Sequence, residues 1–336
     1  MALTAITDAL RQCFFIPTPT FTEHDLPDQT GRVFIVTGGY AGVGLELSRI
    51  LYSRHGTVYI AGRSSTKGHT AIESIQSQHP SSDGRLEFLS LDLADLSTIK
   101  PSVDDFCRRE RRLDVLTNNA GVMTPPVGSR TAQAHELQMG TNCLGPFLFT
   151  QLLTPLLRKT AAASPPGSVR VTWAASLATL GAPTGGVQFE GPSSFTSSGG
   201  GAKVHDIRGK DYTQSKAANV FLAREFARRF GGGDDDGGDG VVSNVWNPGN
   251  LLSELQRHQS WLEHTITKAL CYPPVLGAYT ELFAGWGEEA GKAGNWGRYI
   301  GPWGRFVYLR GDIDGNEEGA RRFWDWCEVE TRPYAS

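Results

Sequence analysis

Cysteine is scarce in this sequence, and its distribution argues against two kinds of structure. Five of the 336 residues are cysteine, and no two of them form a C-x-x-C pair (Cys13, Cys107, Cys143, Cys271 and Cys327). An odd, scattered set of this kind is typical of reduced thiols in an intracellular protein, whereas disulfide frameworks and cysteine zinc sites need paired spacings. We therefore expect a cytoplasmic protein without disulfides and without a metal site.

The sequence also lacks a basic excess and a long apolar run. Its 32 Lys and Arg against 35 Asp and Glu leave a net charge of −3, which does not favour a nucleic-acid partner. No run of about 18 apolar residues is present, so we expect no membrane span. The N-terminal stretch Met1–Pro19 lacks the basic start and cleavage site of a signal peptide, and its apolar pattern predicts a short helix packed on the body of the protein.

Glycine, by contrast, is abundant. The chain has 40 glycines, about 12% against an average of about 7%. They follow no G-X-Y period, and 39% hydrophobic residues suffice for a large core, which excludes collagen and a wholly disordered chain. Two glycine-rich stretches, Gly181–His205 and Gly231–Gly240, are interpreted as surface loops. The second has four aspartates but lacks the spacing and closing glutamate of an EF-hand, so we expect no calcium site.

Short apolar runs alternate with amphipathic stretches from residue 32 onward. Runs rich in β-branched residues predict buried strands over Arg32–Thr37, Thr57–Ala61, Arg85–Leu91, Leu113–Thr117, Ser168–Ala175, Val241–Trp246 and near Phe306–Tyr308. Apolar residues at helical spacing predict helices over Gly42–His55, Thr66–Gln78, Ser97–Arg109, Thr131–Lys159, Tyr212–Phe230, Val275–Glu289 and Asn316–Cys327, of which Thr131–Lys159 is either one long helix or a broken one. This alternation predicts an α/β fold, a doubly wound parallel sheet of about seven strands with helices on both faces.

The first predicted strand runs into a glycine-rich turn, Thr37–Gly44, and then into a helix. Glycines here let the backbone approach a pyrophosphate, and the helix N-terminus supplies free N–H groups and a positive dipole end. The turn therefore predicts a dinucleotide site. Arg63 follows Gly44 by 19 residues, at the place where an acidic residue would bind the ribose of NAD, and an arginine there accommodates a 2′-phosphate. We expect the cofactor to be NADP(H).

Further motifs follow the turn in a fixed order. They are Asp92 after the third strand, Asn118–Gly121 (NNAG) after the fourth, Asn142 in a helix, Ser176 after the fifth strand, the YxxxK pair Tyr212 and Lys216, and Pro248–Gly249 after the sixth strand. In this order and spacing the set resembles the short-chain dehydrogenase/reductase family from Gly31 to Glu254. The stretch around Asn142 and the stretch Gly297–Tyr299 look most like its retinol-dehydrogenase-like branch, which includes fungal small-molecule reductases.

The resemblance implies a Rossmann fold and a set of site residues. Carried over, the catalytic residues are Asn142, Ser176, Tyr212 and Lys216. With the glycine turn, it places around the cofactor Thr37, Gly38, Tyr40, Gly42, Val43, Gly44, Arg63, Ser64, Asp92, Leu93, Asn119, Ala120, Gly121, Tyr212, Lys216, Pro248, Gly249, Leu251 and Ser253. Residues 1–336 are interpreted as one domain, with an N-terminal extension (1–30), a cofactor-binding and catalytic core (31–250), and a substrate loop with a C-terminal lobe (251–336).

Two departures from the family pattern concern the catalytic serine. The fifth strand usually ends in a Ser-Ser pair, but here Ala174 and Ala175 precede a single Ser176. The gap from Ser176 to Tyr212 is 36 residues, longer than is usual in the family. The sequence leaves open whether the inserted segment covers the substrate or lies in solvent.

The YxxxK pair suits proton transfer. Residues four apart share a helix face, so the Lys216 ammonium is expected beside the Tyr212 phenol. A free tyrosine has a pKa of about 10, and a neighbouring cation lowers it. In the family the tyrosine is the general acid/base, the lysine tunes it and holds the ribose, the serine polarises the carbonyl oxygen and the asparagine supports a proton relay. The resemblance therefore implies an NADPH-dependent carbonyl reductase, or an alcohol dehydrogenase in reverse, acting on a small, fairly apolar carbonyl or alcohol substrate.

Several alternatives stay open. The chain could bind NADP(H) in a regulatory role, or use the cofactor in a non-redox isomerase or cyclase step, and either a monomer or a homodimer is compatible with it. His258, Trp261 and His264 fall where the family has a substrate loop, and we interpret them as pocket lining or a surface helix rather than a metal pair. Trp246 lies either beside the nicotinamide or in the core, and most of the late tryptophans are predicted to pack the C-terminal lobe.

Overall fold

The computed structural model describes residues 12–191, 201–205, 207, 209–232, 240–251 and 271–336. The strands in these residues are β1 (Val33–Thr37), β2 (Thr57–Gly62), β3 (Arg85–Ser90), β4 (Val115–Asn118), β5 (Arg170–Ala174), β6 (Phe189–Glu190), β7 (Gly201–Ala202), β8 (Val242–Trp246), β9 (Tyr299–Gly301) and β10 (Arg305–Phe306). Eight of them form one sheet with the order β10-β9-β8-β5-β4-β1-β2-β3, and β6 pairs with β7 separately. Neighbours in the large sheet are parallel except β9 and β10.

The longer helices cover both faces of this sheet. They are α1 (Gly42–Ser53), α2 (Ser65–Gln78), α3 (Ile99–Arg109), α4 (Gly145–Ala162), α5 (Lys210–Phe230), α6 (Pro274–Trp286) and α7 (Glu317–Thr331). Apolar residues of α1, α2 and α6 form one core cluster on one face, and those of α3, α4, α5 and α7 form a second on the other. The doubly wound α/β fold is therefore confirmed, with eight strands rather than seven.

The strand order reverses between β1 and β4. From β1 the chain first winds outward to β2 and β3, and from β4 it winds the other way to β5, β8 and β9. In parallel sheets of this type the ligand crevice opens beyond the carboxyl ends of the strands at such a reversal. The predicted glycine turn and NNAG stretch follow these two strands, so the topology brings them together.

Two predicted elements differ from the structure. The predicted helix Thr131–Lys159 begins only at Leu137, where the Glu136 carboxylate caps the helix N-terminus by accepting the Met139 amide (2.7 Å). It then passes through a π-helical turn, Gly140–Leu144, before α4. At the C-terminus the predicted strand corresponds to β10, and the three-residue β9 was not predicted because its single Tyr-Ile-Gly run is too short to show alternation.

In its described parts, the inserted segment Gly181–His205 does not line the cleft and packs against neighbouring helices. The Gln214 side chain on α5 accepts the Gln188 amide (3.0 Å) and donates to the Lys203 carbonyl (2.8 Å). The Phe189 ring lies 6.5 Å from that of Phe323 on α7. The insertion therefore docks on α5 and α7, so Tyr212 keeps its place despite the long gap.

The N-terminal segment is described from Gln12 onward. Gln12 and Cys13 are helical, and the helix ends at Cys13, since Pro17 and Pro19 cannot continue it. Residues 1–11 and most of the Gly231–Gly240 loop lie outside the described residues. Of the late tryptophans that are described, Trp286, Trp303, Trp324 and Trp326 are buried, and Trp296 is half-buried.

Candidate active site

The loop between β1 and α1 is a tight turn held by the neighbouring strands. Gly38 and Gly42 have φ angles of +67° and +54°, a left-handed conformation that costs glycine nothing. The Gly38 amide donates to the Ala61 carbonyl (2.7 Å), and the Asn119 side-chain amide donates to the Thr37 carbonyl (2.8 Å). The NNAG stretch after β4 thus fixes the backbone of the glycine turn.

The start of α1 offers a cradle for a phosphate group. Ala41, Gly42 and Val43 line the cleft, and the N-cap residue Ala41 gives no side-chain hydrogen bond to the first amides of the helix. Gly44 lies beneath the turn instead: a Cβ there would be 2.5 Å from Asn119 Nδ2 and 2.9 Å from the Gly38 carbonyl oxygen. These features fit a dinucleotide, because free N–H groups at a helix N-terminus bind anions.

The ends of β2 and β3 supply a charged region of the same cleft. Arg63 and Asp92 both line it, and Arg63 forms no ion pair with any described side chain. Asp92 Oδ1 accepts the Ala94 amide (2.9 Å). The Ser64 hydroxyl caps α2 by accepting the Lys67 amide (3.3 Å). A guanidinium without a carboxylate partner suits a phosphate ligand.

Tyr212, Lys216 and Ser176 meet at the carboxyl end of β5. The Tyr212 phenol is hydrogen-bonded to Ser176. Lys216 follows one turn later on α5, with Nζ 5.5 Å from the centre of the Tyr212 ring and donating to the Ala174 carbonyl (3.0 Å). Since Asn219 Nδ2 donates to the same carbonyl (2.8 Å), the end of β5 is tied to α5 twice.

The pKa of the Tyr212 phenol differs from the expectation. Burial raises the pKa of the Tyr212 phenol to about 12, and the hydrogen bond to Ser176 offsets only part of that increase. Burial also lowers the pKa of the Lys216 ammonium to about 8. The predicted lowering of the tyrosine pKa by the lysine is not seen, because the ammonium binds the Ala174 carbonyl and desolvation of the phenolate dominates. The phenol therefore keeps its proton at neutral pH.

Asn142 is buried behind the cleft rather than lining it. It lies in the π-helical turn and is 2% exposed. Its Oδ1 accepts the Val122 amide (2.8 Å), and its Nδ2 donates to the Val122 carbonyl and to Ser215 Oγ (both 3.0 Å). Ser215 Oγ in turn donates to the Tyr212 carbonyl (2.8 Å). Asn142 thus connects the segment after the NNAG stretch to the helix that carries Tyr212.

Ser176 is held by a contact that the sequence did not indicate. Tyr299, 4% exposed on β9, donates its hydroxyl to the Ser176 carbonyl (2.8 Å). The Ser176 hydroxyl accepts the Ala178 amide (3.2 Å) at the start of a short 3₁₀ helix, Leu177–Gly181. The only local signal was the Gly297–Tyr299 stretch, and nothing in the sequence relates Tyr299 to a serine more than 100 residues earlier.

The cleft that joins these parts has a volume of about 900 Å³. Of the predicted site residues it is lined by Thr37, Gly38, Tyr40, Gly42, Val43, Arg63, Asp92, Leu93, Asn119, Ala120, Gly121, Ser176, Tyr212, Lys216, Pro248, Gly249 and Leu251. Gly44, Ser64 and Asn142 lie outside the lining. Ser253, together with His258, Trp261 and His264, lies outside the described residues.

Sequence reasoning missed several apolar lining residues. They include Phe14, Met123, Pro125, Leu177, Leu180 and Cys271. Met123 and Pro125 follow the NNAG stretch closely and could have been found on that ground, whereas Phe14 and Cys271 are far from every motif. Trp246 lines the cleft and is only 1% exposed in the core.

Two further properties of the described residues concern metal binding and membrane insertion. Among the described residues, no group of three or more His, Cys, Asp and Glu side chains is placed to hold a metal ion. No helix in the part of the chain that the structure describes combines the length and the apolar character needed to cross a membrane.

Known proteins share this fold and this site region. A family model described as short chain dehydrogenase matches residues 32–169. Among solved structures, the chain is similar to an uncharacterized protein from Mycobacterium Paratuberculosis, with a TM-score of 0.64 and 25% identity over 94% of this chain and 98% of that one. It is also similar in fold to the Pseudomonas aeruginosa RhlG/NADP active-site complex, with a TM-score of 0.61 and 24% identity over 83% and 97% of the two chains.

Sequence relatives extend the similarity to nearly the whole chain. A short-chain dehydrogenase/reductase from Phomopsis amygdali is 46% identical over 333 residues, covering 95% of each chain. The short-chain dehydrogenase/reductase pkfC from Emericella nidulans is 41% identical over 316 residues, covering 94% of this chain and 97% of that protein. The chain therefore belongs to the short-chain dehydrogenase/reductase family of NAD(P)-dependent oxidoreductases.

Proposed function

We propose that this protein is an NADPH-dependent carbonyl reductase of a small, fairly apolar molecule, and an alcohol dehydrogenase in the reverse direction. The observation that carries the proposal is the hydrogen-bonded pair Tyr212 and Ser176, which lies in the same cleft as the glycine turn. Lys216 on α5 lies beside this pair and donates to the Ala174 carbonyl at the end of β5. One cleft thus combines a proton donor with a dinucleotide cradle.

The choice of NADP(H) rests on Arg63. This guanidinium lies in the cleft after β2 and has no carboxylate partner among the described residues. A 2′-phosphate would supply that partner, whereas NAD would leave the guanidinium without one. When bound, NADPH supplies the hydride that a carbonyl carbon accepts.

The residues of this chain handle the proton. The Tyr212 phenol, with its pKa raised to about 12, holds a proton at neutral pH and donates it to the carbonyl oxygen as charge develops there. Ser176 Oγ is a second donor toward the same oxygen. Lys216 lies on the same helix face, where its ammonium can return a proton toward the phenol and bind the ribose hydroxyls. The protonated phenol is the form of Tyr212 that carbonyl reduction requires.

The substrate class follows from the few charges in the cleft. Among the described lining residues only Arg63, Asp92 and Lys216 are charged. The first two follow β2 and β3 at the cofactor end, and Lys216 is 5% exposed and bound to a backbone carbonyl. An uncharged ketone is therefore the expected substrate. We also propose that residues 1–336 form one domain, because strands from Val33 to Phe306 share one sheet.

The first test measures NADPH consumption with a panel of uncharged ketones. Tyr212→Phe is expected to lower kcat by about 10²- to 10⁴-fold, since it removes the proton donor. The control is Tyr279→Phe on α6, which removes a tyrosine hydroxyl bonded to Glu23 and should leave kcat unchanged. Full activity of Tyr212→Phe would refute the mechanism. NADPH binding without any turnover, or product formation without net NADPH use, would favour a regulatory or a non-redox role instead.

The second test addresses the cofactor. Arg63→Ala is expected to raise the Kd for NADPH by about 10-fold or more, the loss of one charge-assisted interaction, while the Kd for NADH stays within about twofold. Arg108→Ala, which removes an exposed arginine on α3, is the control. Equal weakening of NADPH and NADH by Arg63→Ala would contradict the role of Arg63.

A further inference from the structure

The N-terminal segment Gln12–Thr20 lies before residue 32, where the match to the family model begins, yet it is bonded to the active-site cleft. Gln12, Cys13 and Phe14 each form a hydrogen bond with a residue that follows β8 in the sequence. Asn247 Nδ2 donates to Gln12 Oε1 (3.2 Å), and the Tyr272 hydroxyl donates to the Phe14 carbonyl (3.3 Å).

The Cys13 thiol completes the set with a hydrogen bond to the Asn250 side chain. Asn250 itself lines the cleft. Three consecutive residues of the N-terminal segment are therefore attached to Asn250 of the cleft lining, to Asn247 before the lining residue Pro248 and to Tyr272 after the lining residue Cys271.

A second set of contacts fixes the rest of the segment. The Arg305 guanidinium on β10 donates to the carbonyls of Pro17 (3.2 Å) and Thr18 (2.6 Å). The Thr20 amide donates to the Trp303 carbonyl (3.3 Å) in the turn between β9 and β10. The segment is thus attached at both ends to the β8–β10 side of the sheet.

This attachment decides which end of the cleft the segment borders. In the sheet, β8 neighbours β5, which precedes Ser176, whereas β2 and β3 lie at the opposite edge. Arg63 and Asp92 follow β2 and β3 and belong to the cofactor end. The N-terminal segment therefore borders the reacting end, where Tyr212 and Ser176 meet.

Two adjacent aromatic rings of the segment have different surroundings. Phe14 lines the cleft and remains 45% exposed, whereas Phe15 is 76% exposed and does not line it. A large apolar ring that is exposed inside a concave site is stabilised by an apolar ligand. Other apolar side chains line the cleft as well, among them Met123, Leu177 and Leu180.

We propose that the N-terminal segment is part of the substrate site, and that the Phe14 ring contacts the substrate, an uncharged ketone with an aromatic or other bulky apolar group. This inference rests on the proposed carbonyl reduction. It adds a specificity-determining residue from outside the part of the chain that the family model matches.

The test compares Phe14→Ala with Phe15→Ala in the full-length chain. The probe is 2-acetonaphthone, and its Kd for the protein saturated with NADP⁺ is measured by calorimetry, so no turnover is needed. Phe14→Ala is expected to raise this Kd by at least about fivefold, as for the loss of one aromatic contact. Phe15→Ala should change it by less than about twofold, and the Kd for NADP⁺ should stay within about twofold in both. Phe14→Leu, which keeps an apolar side chain, should give an intermediate ketone Kd and guards against a folding defect of the alanine variant.

Each outcome decides the question. Equal ketone Kd values for the two alanine variants, a loss of NADP⁺ affinity in place of ketone affinity, or no ketone binding by the unaltered protein would overturn the inference. Ketone binding that weakens in Phe14→Ala, combined with no reduction by NADPH, would refute the proposed reaction but leave the role of Phe14 standing.

Discussion

Lys216 offers a test in which stability and activity should change in opposite directions. Burial lowers the pKa of its ammonium from 10.5 to about 8, so the folded protein holds the charged form at a cost. That difference corresponds to about 3 kcal/mol at pH 7. Lys216→Met keeps the side-chain length and removes the charge. The Ala174 carbonyl loses one donor but retains Asn219, so about 1 kcal/mol or less is lost there.

The net expectation for Lys216→Met is a gain of about 1–3 kcal/mol in the free energy of unfolding at pH 7, with loss of ketone reduction. Because the folded-state pKa lies below the unfolded value, the cost of the charge is complete below pH 8 and disappears as the pH rises to 10.5. The advantage of the variant should therefore shrink between these values.

Urea unfolding of the unliganded protein at pH 7 and pH 10 measures the effect on stability. Lys159→Met, at an exposed lysine near the end of α4, is the control and should change stability by less than about 0.5 kcal/mol at either pH. A Lys216→Met variant that is less stable than the unaltered protein at pH 7, or an advantage that is the same at both pH values, would refute the reasoning.

Two further changes test other parts of the site. Gly44→Ala should raise the Kd for NADPH at least about 10-fold in a fluorescence titration, because the new methyl group would lie 2.5 Å from Asn119 Nδ2. An unchanged Kd would show that the turn adapts to the methyl group. Tyr299→Phe removes the donor to the Ser176 carbonyl and should lower kcat about 10-fold without changing the Kd for NADPH. A change in the Kd for NADPH with an unchanged kcat would contradict the role of Tyr299 in positioning Ser176.

Much of the fold could be predicted because its signals are local. β1 is five residues long and buried throughout, which is why its apolar run stands out in the sequence. The glycine turn is recognisable because positive φ angles and close backbone approach need glycine at fixed spacings. Tyr212 and Lys216 share a face by helix geometry alone.

Other features depend on contacts between distant residues. The predicted helix over Thr131–Lys159 starts late because the Glu136 carboxylate caps the helix N-terminus before Leu137, and such capping is not visible in apolar spacing. The insertion after Ser176 has a loop-like composition, yet Gln214 and Phe323 hold its described parts against α5 and α7. Composition alone does not predict which surface receives a loop.

The sequence by itself determined the doubly wound sheet, the dinucleotide turn and the family, because each is recorded in short-range patterns of apolar, glycine and motif residues. Only the tertiary structure decided that Asn142 lies behind the cleft, that Tyr299 holds Ser176, and that burial raises the pKa of Tyr212. It also brought Phe14 to the reacting end. These properties depend on desolvation and on hydrogen bonds between residues far apart in the chain, and the folded sheet alone brings such residues together.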